Sequence, residues 1–160
     1  MHQEWIDVEL SFLEQWLLQV KQPLIAVGTT SLRTLESLYW LGVKETIKPT
    51  NQFPVLTQWE CYELEKAAIS LEDSLSTLIR LLKERKQERL ITQTSLLIAP
   101  GYKVKTADAI LTNFHQPRST LLLLIAAFIG TDWKKVYQHA LENEYRFLSY
   151  GDSSLLWNKR

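Results

Sequence analysis

The tetrapeptide Leu24-Ile25-Ala26-Val27 stands between Pro23 and Gly28, and the hydroxyl run Thr29-Thr30-Ser31 follows directly. A short unbroken apolar run of this kind reads as a strand buried on both faces. Gly28 ends it in a tight turn, and any of the three hydroxyl residues can cap the helix that follows. That helix carries Leu32, Leu35 and Leu38 on one face and runs to about Trp40, with Gly42 in the place of a C-terminal stop. Before the strand, Leu10, Leu13, Leu17 and Val20 mark a helix over Leu10 to Val20, closed by Pro23. A strand, a tight turn and a helix in succession is the unit from which α/β folds are assembled.

The remaining elements fit that class. Val43 to about Glu60 shows no period and holds Pro49 and Pro54. Ser70-Leu71-Glu72-Asp73 resembles a capping box, and Leu71, Leu75, Leu78, Ile79 and Leu82 extend an amphipathic helix to about Arg89. Thr94 to Ala99, stopped by Pro100-Gly101, reads as a second strand, and Ala109 to Phe114 as a third. Ser119-Thr120 caps a helix whose uninterrupted apolar stretch Leu121 to Ile129 implies burial on nearly every side. Thr131 opens a last helix with Val136, Tyr137, Ala140 and Leu141 inward, and Tyr150-Gly151-Asp152 signals a turn in the tail. The expectation is an α/β, three-layer arrangement over residues 1–160 as a single domain. Its sheet is partly parallel, flanked by helices, with Leu24–Val27, Thr94–Ala99 and Ala109–Phe114 as neighbours. Three strands make a small sheet for this architecture, in which ~5–6 are usual.

Composition excludes several classes. The apolar run of Leu121 to Ile129 is far short of the ~20 residues of a membrane span, and Met1-His2-Gln3-Glu4 opens no secretory signal. Cytoplasmic residence and no membrane partner are therefore expected. Cys61 is the only cysteine, and His2, His115 and His139 lack local ligand spacing, so no metal is expected. Formal net charge is zero. The basic clusters Lys83 to Arg89 and Asn158-Lys159-Arg160 do not amount to a phosphate-gripping face, the first being interspersed with acids.

Two segments can carry chemistry, because ligands of open α/β sheets bind beyond the carboxyl ends of strands. The first is Gly28 to Arg33, where an anion at the helix N-terminus can be shared with a guanidinium. Arg33 and Glu36 sit on a face distinct from Leu32 and Leu35. An ordinary capped turn with a solvated Arg–Glu pair fits the same spacing, and both readings stay open. The second is Thr112 to Thr120, which crowds Asn113, His115, Arg118, Ser119 and Thr120 into one turn. His115 suits a general base or an orienting donor, and equally a structural histidine. If the strands are parallel, both turns lie on one sheet edge and form one cleft.

Together these segments resemble the S-adenosylmethionine:tRNA ribosyltransferase-isomerase family of queuosine biosynthesis. Met1-His2-Gln3-Glu4 resembles its MHxE element, and Ala26 to Glu36 its AVGTTSxRTLE segment. Pro100-Gly101-Tyr102-Lys103-Val104 is similar to PGYxF/V, Asp108 to Leu122 to DALxTNFHxPxSTLL, and Tyr145 to Asp152 to YRFxSYGD. Gln116 in place of Leu, Thr106-Ala107 before Asp108 and Ser153 in place of Ala are departures that remove no reactive group.

The resemblance implies transfer and isomerisation of the ribosyl moiety of S-adenosylmethionine onto 7-aminomethyl-7-deazaguanine in tRNA, giving epoxyqueuosine. It implies S-adenosylmethionine as substrate and tRNA as partner. By position in the motifs, His115, Arg33 and Glu36 are the catalytic candidates. Gly28, Thr29, Thr30, Asn113, Arg118, Ser119, Thr120, Tyr102, Tyr150 and Asp152 are the substrate-binding candidates. Members of that family are more than twice as long and carry an inserted β-barrel, so the chain matches their C-terminal part and is expected to be inactive alone. An incomplete sheet also implies a homo-oligomer as one way to cover its edges. A stand-alone α/β module that binds a ligand or partner without turnover is the competing expectation.

Overall fold

The computed structural model describes residues 3–50 and 52–158. Met1 and His2 of the first motif, and Lys159-Arg160 of the basic tail, therefore lie outside the described residues. The chain divides into two compact units, one made of Met1–Pro23 with Thr34–Leu96, the other of Leu24–Arg33 with Leu97–Arg160. The fold is mixed α/β, as the strand–turn–helix pattern requires.

The first unit is built on strands β1 (Glu4–Glu9) and β2 (Arg89–Thr94), which pair antiparallel from Glu4↔Thr94 to Glu9↔Arg89. Alternation sorts their faces: Ile6, Leu90 and Thr92 are buried, whereas Trp5, Asp7, Ile91 and Arg89 are exposed. On the exposed face the Arg89 guanidinium donates to Asp7 and Glu9, each at 2.8 Å. The expected strand Thr94–Ala99 is displaced. The strand ends at Thr94, lies in this antiparallel pair, and does not neighbour Ala109–Asn113. The reason lies in the backbone donors after it: Ser95 N–H goes to the Leu56 carbonyl at 2.9 Å and Leu96 N–H to Thr94 Oγ1 at 3.1 Å. Leu96, Leu97 and Ile98 are buried without joining a ladder. Apolarity there reports burial, not strand.

Helices α1 (Leu10–Leu18), α2 (Thr29–Ile47) and α4 (Leu71–Glu84) stand where the sequence periodicities place helices, with different ends, whereas the short α3 (Glu60–Leu64) was not read from the sequence. Gly42 does not stop α2, which continues to Ile47. Gly42 is the point where α2 meets α4: a Cβ there would fall within 3.0 Å of the backbone and hydroxyl of Ser74. Along the same seam Ser74 Oγ donates to the Tyr39 carbonyl at 2.6 Å, and the Thr46 and Thr77 hydroxyls are 2.9 Å apart. Helix α4 starts as its capping box requires, with Ser70 Oγ accepting from Asp73 N–H at 3.0 Å and donating to Asp73 Oδ2 at 2.6 Å. It ends at Glu84, short of Arg89. Loss of that cap in Ser70→Ala is expected to cost about 1 kcal/mol, read as a lower urea midpoint at unchanged slope.

The second unit holds a sheet of β3 (Ile25–Val27), β4 (Ala109–Asn113) and β5 (Ser153–Trp157), in the order β3-β4-β5. β3 runs parallel to β4, and β5 antiparallel to it. The start of the parallel pair is latched twice, by Asp108 N–H on the Leu24 carbonyl at 2.8 Å and by Leu24 N–H on Asp108 Oδ2 at 2.9 Å. The rung Ala26–Ile110–Leu156 is buried. β3 is not buried on both faces, however: Ile25 and Val27 stand on an open face with Leu111, Leu155 and Trp157, and Val27 is 66% exposed. β5 itself escaped the sequence reading, since Ser153 to Trp157 is too short to show a clear period.

Helices α5 (Thr120–Ile129) and α6 (Trp133–Glu142) complete this unit. Despite its apolar composition, α5 buries only Leu124, Ile125, Phe128 and Ile129, and Leu123 is exposed. In α6, Tyr137 and Ala140 face inward, but Leu141 is 67% exposed. Both helices have one covered face where sequence implied more. No described helix is long and apolar enough to cross a membrane.

Candidate functional site

Because β3 and β4 are parallel, their carboxyl ends open on one edge of the sheet, and the chain after each strand forms one wall of a cleft. The cleft has a volume of about 460 Å³ and lies wholly within the second unit. Gly28, Thr29, Thr30 and Ser31 form one side, Thr112, Asn113 and His115 another, and Leu148, Ser149 and Ser153 close it.

The first wall is the entry to α2. Gly28 has φ +90°, a conformation that side chains resist, and its N–H donates to the Leu111 carbonyl at 2.8 Å. The turn is thereby tied to β4 just where the helix begins. The first amides of a helix have no carbonyl within it to bond, so this wall offers donors and a positive dipole end. It suits an anionic group.

The second wall follows β4. Thr112 Oγ1 lies 3.1 Å from His115 Nε2, and the His115 backbone N–H donates to the Tyr137 hydroxyl at 3.0 Å. Tyr137 in turn packs edge-on against Phe114 and Trp133. Burial pushes the His115 imidazole below its usual range, so the ring is neutral at pH 7, the form that accepts a proton. Burial pushes the Tyr137 phenol up, and it keeps its proton.

The third wall is the Tyr145 to Asp152 loop. Asp152 closes it, accepting from Arg146 N–H at 2.8 Å through Oδ2 and donating its own N–H to the Arg146 carbonyl at 2.8 Å. Leu148, at φ 71°, donates to the Phe114 carbonyl at 2.9 Å. The Asn113 amide reaches the Gly151 carbonyl at 3.1 Å and Ser153 Oγ at 3.2 Å. Asn113 thus fastens the loop over the end of β4.

The structure gathers Gly28, Thr29, Thr30, Asn113 and His115 around this cleft. Arg33 is buried, and burial pushes its guanidinium below the usual value. Glu36 is fully buried and belongs to the first unit, as do Tyr39 and Cys61. The Cys61 thiol is pushed up to about 12, chiefly by burial, and is no nucleophile. Ser119 caps α5, accepting from Leu122 N–H at 3.2 Å, with Arg118 before it at φ 61° and Thr120 as the first helical residue. Tyr102 is buried behind the Pro100-Gly101 turn, whereas Tyr150 is 98% exposed at the loop tip. Sequence reasoning missed Leu148, Ser149 and Ser153 as wall residues. The bend at Leu148 depends on a bond to Phe114, distant in sequence and carrying no local signal. Among the described residues, no group of three or more His, Cys, Asp or Glu side chains is placed to hold a metal.

The family model described as queuosine biosynthesis protein matches residues 1–156. A protein of Phenylobacterium zucineum called S-adenosylmethionine:tRNA ribosyltransferase-isomerase is 34% identical over 98% of this chain and 33% of its own length. One of the same name from Polynucleobacter necessarius is 57% identical over 40% of the chain and 19% of its own length. The crystal structure of an S-adenosylmethionine tRNA ribosyltransferase from Thermotoga maritima is similar with TM-score 0.58 and 30% identity, over 94% of this chain and 39% of that one. The chain spans about a third of the length of the curated relatives it matches throughout.

Proposed function

Since the chain belongs to the family of queuosine biosynthesis proteins, we propose that it is the C-terminal portion of a cytoplasmic tRNA-modifying enzyme. Its reaction is transfer and isomerisation of the ribosyl moiety of S-adenosylmethionine onto 7-aminomethyl-7-deazaguanine in tRNA. Residues 1–160 form one part of the family's α/β domain, and the rest of the site comes from the portion not present here.

The cleft supports this assignment, because it joins an anion-accepting helix N-terminus to a neutral imidazole. The amides of Thr29 to Ser31 suit the carboxylate of the methionine moiety. A sulfonium acidifies its neighbouring C–H bonds, and His115 is the group on the cleft wall suited to take such a proton. Arg33, in the same unit as the cleft, is assigned a supporting electrostatic part, and Tyr150 a contact with the nucleic acid. Incompleteness accords with the open apolar face at Ile25, Val27, Leu111, Leu155 and Trp157. Monomers also have the option of covering that face by self-association.

Adenine release is the measurement. Incubated with S-adenosylmethionine and tRNA bearing the precursor base, this chain alone is expected to release none above background. Catalysis draws on a complete, preorganised set of groups, which a third of the relatives' length does not supply. Adding the N-terminal portion of a relative is expected to restore release. Release by the chain alone, abolished in His115→Ala, overturns the split-site reading. Binding of S-adenosylmethionine with no turnover even after complementation identifies a binding module instead.

A further inference from the structure

His115 is held at two points by groups that no motif match assigns a part. Its backbone N–H is fixed to the Tyr137 hydroxyl at 3.0 Å, and its Nε2 lies 3.1 Å from Thr112 Oγ1. Thr112 is itself immobilised on β4: it is 6% exposed, sits opposite Ser154 in the ladder, and its carbonyl accepts from Ser154 Oγ at 3.3 Å. Among the described residues no hydrogen bond is made to His115 Nδ1.

A neutral imidazole has one donor and one acceptor nitrogen, and the partner of one decides what the other can do. We propose that Thr112 is a positioning residue which accepts a hydrogen bond from His115 Nε2–H, fixing the ring and leaving Nδ1 as the nitrogen that exchanges a proton in the cleft. This deepens the base role given to His115 and rests on it. The ring lock is nonetheless a property of the chain without substrate. With Tyr137 holding the backbone and Thr112 the ring, neither the position nor the rotation of the imidazole depends on a ligand. Such pre-orientation keeps a base within reach of its proton. Thr112 touches no reacting atom in this scheme.

The test is nitrogen-15 NMR of the imidazoles in the intact chain near pH 7, with the His115 signals identified by their loss in His115→Gln. The unsubstituted protein is expected to show a protected, slowly exchanging Nε2–H. Thr112→Ser, which keeps the oxygen, is expected to retain it. Thr112→Val, which keeps the branched shape a strand favours, is expected to lose it while the backbone amide spectrum stays folded. If backbone amides change broadly in Thr112→Val, the Thr112→Ser and unsubstituted proteins still decide the matter: absence of the protected Nε2–H in both overturns the proposal. An unchanged Nε2–H in a folded Thr112→Val, or a proton on Nδ1 in the unsubstituted protein, overturns it as well. Activity separates the two readings. A lock lost in Thr112→Val, with adenine release by the complemented enzyme unaffected in His115→Gln, upholds the positioning and sinks only the base role.

Discussion

Gly42→Ala is expected to destabilise the protein by about 2 kcal/mol, although the residue lies well inside a helix. In an exposed helix the same change stabilises by about 1 kcal/mol, because alanine loses less entropy on ordering. Here the added methyl meets the backbone carbonyl of Ser74 as well as its hydroxyl, all closer than 3.0 Å. A flexible side-chain tip would move aside, but the obstacle includes main chain within α4. The seam must open, and Ser74 Oγ then loses the Tyr39 carbonyl it holds at 2.6 Å in a buried setting. Overpacking costs about 1–3 kcal/mol, and a strained buried hydrogen bond adds to it, so the penalty outweighs the propensity gain. Thermal unfolding is expected to begin roughly 5 °C lower. A melting temperature equal to or above that of the unsubstituted protein shows that α2 and α4 separate without loss.

The second large effect is on rate. When the chain is complemented with the N-terminal portion of a relative, His115→Gln is expected to lower kcat for adenine release by roughly 10²- to 10⁴-fold. Glutamine retains a polar group beside Thr112 but does not take up a proton near neutrality. Burial holds the imidazole below its usual pKa, so the neutral, proton-accepting form persists on acidification below the value near ~6.5 of a free histidine. The acid limb of the pH–rate profile is therefore expected below that value in the parent and absent in His115→Gln. Activity within a few-fold of the parent, with the same acid limb, removes His115 from the chemistry.

How much of this was legible in the sequence depended on whether the cause was local. Ser70 and Asp73 are three residues apart, and the cap they form was plain. The turn at Gly28 was equally open to reading, because a strand, a glycine and three hydroxyl residues lie consecutively, and a partly parallel sheet was expected from apolar runs followed by helices. Thr94 to Ala99 misled because burial and strand pairing leave the same apolar trace. Only the bonds to Leu56 and Thr94 Oγ1 separate them. Gly42 looked like a helix stop since glycine serves both to end helices and to let them touch, and Ser74 decides which. In the cleft, the polar turns were found by their crowding. Leu148 and Ser149 arrive through a loop fastened by Asn113, and Thr112 acquires its role only from the distance to a ring.

The two units are interleaved along the chain, and that has a consequence for how the protein is made. Leu24 waits for Asp108, 84 positions later, and Asp7 for Arg89, 82 positions later. Entropy charges little for the extra length of such closures, but formation is slow because the partner must first exist. At about 5–20 residues per second, a ribosome leaves Ile25 and Val27 without their parallel partner for roughly 4 to 17 s. Neither sheet can pair as its first strand emerges: both strands of the antiparallel pair exist once Thr94 is made, and all three of the second sheet only once Trp157 is made. A chaperone that shields one short apolar strand during that interval would cover Ile25 to Val27 until their parallel partner is made.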